Sequence, residues 1–278
     1  MMEQKYFKSP AQDLILKNTT EGKGKAIVGV SFPADICNFC GEPVRISYDT
    51  QSGYRCDYDF DTLIQNLCCD KMKEIAEPMR KDHEKEIFEH FIYYADKETP
   101  LIYRKFRLGD FSTSKTATIR KYFKEKEYES GRGFYIYSRK NGTGKTALSC
   151  TIAKTLCGVK RKTRYAFLNY PDFVNRYEQA DFNDKYDILD NYKESYVLVI
   201  DDLGKGRSTN QSITNIYDIV NYRNINQMIT IVNSNISLQE ISEKFDSSVS
   251  SRLYEMCDIM EMEGEDLRIA TAKQEATR

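Results

Sequence analysis

Six consecutive residues, Asn141-Gly142-Thr143-Gly144-Lys145-Thr146, bring together two glycines, an ammonium and a hydroxyl. Glycine lets backbone N–H groups turn inward around phosphate oxygens, where a side chain would stand in the way. Lys145 can then reach the β- and γ-phosphates of a nucleoside triphosphate, and the Thr146 hydroxyl can ligate Mg²⁺. An apolar strand pattern precedes the six residues and a helical one follows, which adds the partial positive charge of a helix N-terminus. A turn that only caps a helix accounts for the glycines but not for Lys145-Thr146 between those flanks. ATP and Mg²⁺ are the cofactors this loop implies. The strict spacing asks for glycine where the chain has Arg139, which either stiffens the loop or stands at its outer edge as a phosphate-facing cation.

Further groups lie downstream. Tyr196-Val197-Leu198-Val199-Ile200 is an apolar run of the kind a buried central strand needs, and it ends in Asp201-Asp202, 56 residues after Lys145. Open α/β sheets bind ligands beyond the C-terminal ends of their strands. Asp201 is therefore the expected Mg²⁺ partner, through the ion's water shell, and Asp202 the group that polarises an attacking water. Aspartate is one methylene shorter than glutamate and holds its carboxylate further from that water, so slow turnover is expected. Asn235 closes another strand pattern and can orient the water or the γ-phosphate, although asparagine also ends strands without further purpose. Arg252, in Ser250-Ser251-Arg252-Leu253, suits an arginine finger acting on a neighbouring subunit. Arg268 suits a phosphate contact within its own chain. For both arginines a solvated surface position is the plainer reading.

These groups need a scaffold. Strand patterns run over Phe134–Tyr137, Tyr165–Leu168, Tyr196–Ile200 and Met228–Val232, and helical patterns over Thr146–Cys157, Tyr170–Leu189 and Ile213–Asn226. Their alternation predicts a parallel sheet covered by helices. Upstream, apolar residues recur at three- and four-residue steps between Asp61 and Asp96, a long helix in which Pro78 should give a kink or a break. Thr99-Pro100 closes that region, because the residue before proline avoids helix. Two domains result: residues 1–98, cysteine-rich and helical, and residues 99–278, which carry the nucleotide chemistry.

An apolar share of 40% beside 30% charge is ordinary for a soluble globular chain of 278 residues. The net charge of −1 gives no overall pull toward nucleic acid or anionic membrane, so any such binding must come from a local patch. Two patches exist: Lys160, Arg161, Lys162 and Arg164, and Arg104, Lys105 and Arg107 interleaved with Tyr103 and Phe106. Cations with aromatics suit single-stranded nucleic acid, while a solvated connecting loop is the plainer reading. The polar start does not read as a secretory signal, and no apolar stretch approaches a membrane span, so a cytoplasmic protein with no membrane partner is expected. In a reducing compartment clustered cysteines favour metal over disulfides. Of eight cysteines, five lie between Cys37 and Cys69. Cys37-x2-Cys40 followed by Gly41 puts two thiolates on one tight turn, and Cys56 with Cys68, or Cys69 in its place, would complete a structural zinc site. Free buried cysteines are the other reading, and His83 and His90 are spare ligands whose spacing suits solvated helix faces.

Phosphate loop, Asp-Asp strand, Asn strand end, Ser-Arg-Leu and late arginine, in that order, resemble the AAA+ domain of bacterial and phage replicative helicase loaders of the DnaC/DnaI type. Ile219-Val220-Asn221-Tyr222-Arg223, Ser234-Asn235-Ile236-Ser237-Leu238 and the segment Tyr103 to Phe111 are similar to parts of that family, and the likeness spans about residues 100 to 268. It implies an AAA+ P-loop NTPase domain with a central parallel sheet, preceded by a small zinc-binding, helical domain that docks on the helicase. It also implies that Asn235 is a sensor, Arg252 the finger and Arg268 a second sensor. The partners would be a hexameric replicative helicase, single-stranded DNA and further copies of the chain. A transposition helper ATPase shares the nucleotide motifs but usually lacks a cysteine-rich front. A non-hydrolysing adaptor would keep the ATP site only as a switch.

Overall fold

The computed structural model of the protein describes residues 19–20, 36–37, 70–162, 164–206 and 208–264. Contacts divide the chain into two units, Met1–Ile87 and Phe88–Arg278. In the first, strands β1 (Thr19–Thr20) and β2 (Ile36–Cys37) pair antiparallel, with Thr19 opposite Cys37. Helix α1 (Asp70–Glu98), whose residues from Phe88 on belong to the second unit, runs through Pro78 instead of ending there. Proline forfeits one intrahelical bond and crowds the carbonyl four residues earlier, a local cost that the bonds on either side of a 29-residue helix outweigh. Cys40, Cys56, Cys68 and Cys69 lie outside the described residues, and Cys37 is seen only as a strand residue. Among the described residues no group of three or more His, Cys, Asp and Glu side chains is placed to hold a metal ion.

The second unit is built on a five-stranded sheet. Its strands are β3 (Gly133–Tyr137), β4 (Ala166–Asn169), β5 (Val197–Leu203), β6 (Ile229–Ser234) and β7 (Cys257–Glu261). They lie in the order β4-β5-β6-β3-β7, and every pairing is parallel. The helices are α2 (Thr113–Glu125), α3 (Lys145–Lys160), α4 (Tyr170–Gln179), α5 (Phe182–Glu194), α6 (Asn210–Ile225), α7 (Leu238–Lys244) and α8 (Ser247–Met256). Parallel neighbours require crossovers, and the crossover helices cover both faces. The apolar run at Val197 accordingly serves two cores. Leu198 and Ile200 pack with Phe173, Ile219 and Leu253 of α4, α6 and α8. Val197 and Val199 pack with Ile119, Leu148 and Ile152 of α2 and α3. Each such side chain contributes about 1.5–3 kcal/mol by leaving water.

Three features depart from the sequence reading. The helical pattern over Tyr170–Leu189 is two helices, because Ala180 and Asp181 take extended backbone between α4 and α5. Strand β7 follows α8 without any intervening turn residue and adds to the sheet beside β3. Arg223 of α6 is fully buried. Its guanidinium donates to the carbonyls of Tyr192, Lys193 and Ser195 at the end of α5, at 3.0, 3.0 and 2.7 Å. It also donates to Ile229 O at 2.6 Å and to Thr230 Oγ1 at 2.9 Å, at the start of β6. No described helix is long and apolar enough to cross a membrane.

Candidate nucleotide site

The chain leaves β3 and turns back into α3 through residues 138–144. Gly142 and Gly144 hold φ of +69° and +96°, in the left-handed region that favours glycine because it has no Cβ. Gly144 is the N-cap of α3, whose 16 residues aim their N-terminal N–H groups at the loop. Lys145 Nζ donates to Asn235 Oδ1 at 2.9 Å and to Lys140 O at 3.3 Å. The sheet order explains this meeting, since the loop after β3 lies beside the end of β6. Lys115 of α2 supports the loop from outside, donating to Thr143 O at 3.4 Å. Arg139 is exposed and its guanidinium lies 3.5 Å from the Glu240 carboxylate of α7. It therefore stands at the outer edge of the loop and faces an acid.

The ends of β5 and β6 carry a linked set. Thr146 Oγ1 donates to Asp201 Oδ1 at 2.9 Å, and Asn233 Nδ2 donates to the same oxygen at 2.9 Å. Ser149 of α3 in turn donates to Asn233 Oδ1. Asn233 and Ser149 were missed by pattern reading, although a polar residue in an otherwise apolar strand is a signal available in the sequence. Two hard oxygens, the Asp201 carboxylate and the Thr146 hydroxyl, stand together at the head of α3, a donor pair that fits Mg²⁺. Asp202 has φ of +57° and sits at a bulge where the β5–β6 register shifts between Ile200 and Leu203. Lys205 Nζ lies 2.9 Å from its Oδ2.

Burial raises the Asp201 carboxyl above its ordinary value of 3.8, while the bonds from Asn233 and Thr146 pull it back. A carboxyl raised on folding binds its proton more readily in the folded state. Stability is then full below the unfolded value and is lost as pH rises through the folded one. In the absence of nucleotide and Mg²⁺ the chain should therefore lose stability across that window, and Asp201→Asn should remove the slope. At neutral pH this substitution should stabilise the nucleotide-free fold, because it removes a buried charge. It should also erase any stabilisation by Mg²⁺ with nucleotide. Thermal melts at pH 4 to 8, with and without MgATP, read all three effects, and a wild-type slope retained in the variant would refute the assignment.

Loop, acids and Asn235 line one cleft of about 630 Å³, within the range of small-molecule sites. Tyr103, Phe106, Phe111, Asn169 and Lys205 complete it. Tyr103 and Phe106 thus face the nucleotide cleft, and the two arginines interleaved with them are engaged internally, while Lys105 is exposed with its ammonium 5.4 Å from the Phe106 ring centre. Arg104 donates to Thr99 O and Lys97 O, and Arg107 to Arg104 O, Phe106 O and Asp96. In the second basic patch Lys160 pairs with Glu129 and Arg164 with Glu98. Arg252 lies on α8 away from the cleft of its own chain, bonded to Asn221 and paired with Glu255. Arg268 lies outside the described residues. Cys150, Cys157 and Cys257 are buried free thiols that burial pushes up to about 12, so they are inert packing residues at neutral pH.

The family model described as IstB-like ATP binding protein matches residues 136–276, half of the chain. Two curated relatives from Bacillus subtilis (strain 168) are similar to it. The phage-like element PBSX protein XkdC is 30% identical over 125 residues, covering 42% of this chain and 44% of that protein. The uncharacterized protein YqaM is 30% identical over 122 residues, covering 42% and 38%. The matched segment thus spans less than half the length of either relative. Among solved structures, that of DnaI aligns with a TM-score of 0.50 and 22% identity, covering 59% of this chain and 95% of that one. A DNA replication initiation factor aligns with 0.50 and 20%, covering 62% and 54%. At these identities the likeness concerns the fold.

Proposed function

We propose, on the premise that the chain belongs to the family of IstB-like ATP binding proteins, that it loads the replicative DNA helicase onto single-stranded DNA and uses slow ATP hydrolysis as a switch. The observation that carries the switch is at Asp202. Its Oδ2 is paired with Lys205 at 2.9 Å, a cation that competes with an attacking water for the carboxylate, and its chain is a methylene short of glutamate. Lys145 would hold the outer phosphates, Thr146 and Asp201 the Mg²⁺, and Asn235 would exchange its bond with Lys145 for one to the γ-phosphate or the attacking water. The loader assignment rests on the order of motifs from Asn141 to Arg268. The cysteine segment and helical region of residues 1–98 would hold the helicase, with a structural zinc on Cys37, Cys40, Cys56 and Cys68 or Cys69, and residues 99–278 would bind ATP and DNA. In the cytoplasm, ATP would assemble copies of the chain, and hydrolysis would release them once the helicase encircles DNA.

Steady-state turnover should stay below about 10 s⁻¹, the enzyme median, with and without single-stranded DNA. No turnover under any condition would favour the non-hydrolysing adaptor, a reading that the Asp202–Lys205 pair also supports. Co-purification with the hexameric helicase of its own replication system tests the loader itself. A chain that never forms that complex, with or without ATP, is not a loader, and a transposition helper would behave that way. A purified chain holding about one zinc ion would support the cysteine site.

Arg252 is expected to act in trans. Arg252→Ala should leave MgATP affinity within about twofold and lower turnover about 10³-fold, the scale of an arginine finger. Mixing it with Lys145→Ala, which keeps Arg252, should restore part of the lost activity. Unchanged turnover in the single variant, or no recovery in the mixture, would count against the finger.

A further inference from the structure

Lys154, on the third turn of α3, does no phosphate chemistry, yet it is 1% exposed and charged groups are not buried without partners. Its ammonium lies 2.8 Å from Asp96 Oδ1 near the end of α1. It also donates to Arg104 O at 2.9 Å, to Phe106 O at 3.1 Å and, more weakly, to Tyr103 O at 3.4 Å. Three carbonyls of one short segment thus converge on a single cation. Asp96 closes the set from the other side, its second oxygen 3.1 Å from Arg107. Burial pulls Lys154 below the ordinary lysine range and Asp96 opposes this.

Turning the carbonyls of residues 103–106 toward Lys154 fixes the path of that backbone. Tyr103, Phe106 and Phe111 from the same segment line the nucleotide cleft, and the Phe106 and Phe111 rings sit 6.0 Å apart. No charge comes from these rings, and the Tyr103 phenol O–H is their one hydrogen-bond donor. Their flat faces lie in the same cleft as the loop that would take phosphates, which suits the base of a nucleotide.

We infer that Lys154, paired with Asp96, is a positioning residue that sets the aromatic wall of the cleft, so that it governs recognition of the nucleotide base and not of the phosphates. The inference rests on the reading that the cleft takes ATP. It makes a division that a merely structural lysine would not: the base side should weaken while the phosphate side stands.

The test uses the full chain and two probes, MgATP and magnesium tripolyphosphate, the second having the phosphates without the base. Lys154→Met should weaken MgATP at least tenfold in titration calorimetry and leave tripolyphosphate within twofold. Asp96→Asn, at the more accessible end of the pair, should show the same split in smaller degree and carries the test if Lys154→Met does not fold. In the wild type, MgATP but not tripolyphosphate should protect backbone amides of residues 101–111 from hydrogen exchange. Equal losses for both probes, unchanged affinity for ATP, or equal protection by both would overturn the inference. A wild type that binds neither probe would instead sink the nucleotide reading on which it stands.

Discussion

Lys145→Ala should leave the fold intact and weaken MgATP binding about a hundredfold or more. The ammonium is mostly buried at the head of α3, where its charge is poorly screened and faces the turn that would hold the outer phosphates. Losing a charge-assisted contact in such a place costs about 2–5 kcal/mol, and each 1.4 kcal/mol is tenfold in affinity. The nucleotide-free protein loses less. Asn235 Oδ1 gives up one donor at 2.9 Å, worth about 1 kcal/mol. Calorimetric titration with a parallel thermal melt separates the two quantities. Affinity within threefold of wild type would remove Lys145 from the phosphate site.

Arg223→Ala should cost the nucleotide domain about 3–5 kcal/mol, the usual result of breaking a buried charge network. The guanidinium meets carbonyls and hydroxyls rather than a carboxylate. Tyr192 and Lys193 belong to the last turn of α5, whose carbonyls have no partner within the helix and carry its partial negative charge. Ile229 O lies at the start of β6, so one side chain ties a helix end to a strand start. Burial lowers Arg223 to about 9, still well above neutral pH, so the charge persists. Lysine, a single point donor, cannot span these acceptors, and Arg223→Lys should recover little. A domain of this size loses about 2–4 °C per kcal/mol, so melting should fall by about 10 °C. A melting point within two degrees of wild type would show that solvent or relaxation satisfies those carbonyls.

The parts of the site that sequence alone revealed are those where neighbours along the chain do the work. Two glycines, a lysine and a threonine in a row specify a phosphate loop because their geometry is local, and Asp201 is marked by the apolar run before it. The partners that complete the site come from afar. Whether Arg139 faced phosphate was decided by Glu240, about a hundred residues on, and no periodicity reports that pairing. Arg223 looked like any helix cation, since burial of a charge depends on acceptors supplied by α5 and β6. Tyr103 and Phe106 suggested stacking on DNA bases because cations stood between them. The structure turns the two arginines to backbone carbonyls and Asp96, keeps Lys105 exposed beside the Phe106 ring, and leaves the rings to the cleft. Cys40, Cys56, Cys68, Cys69 and Arg268 lie outside the described residues, so the roles of the zinc set and of Arg268 rest on spacing and resemblance.

The left-handed backbone at Asp202 bears on how this chain could change under selection. Aspartate and asparagine are the side chains that most readily accept such a φ, whereas a longer chain bears the ordinary penalty of about 1–2 kcal/mol. The single codon change to glutamate, which would lengthen the carboxylate toward the attacking water, therefore carries a structural handicap from the start. A lineage seeking faster turnover would first have to straighten the bulge between Ile200 and Leu203, and with it the turn through Gly204 and Gly206, both also at positive φ. The short carboxylate at this position is in that sense entrenched: the backbone shields it from one-step revision.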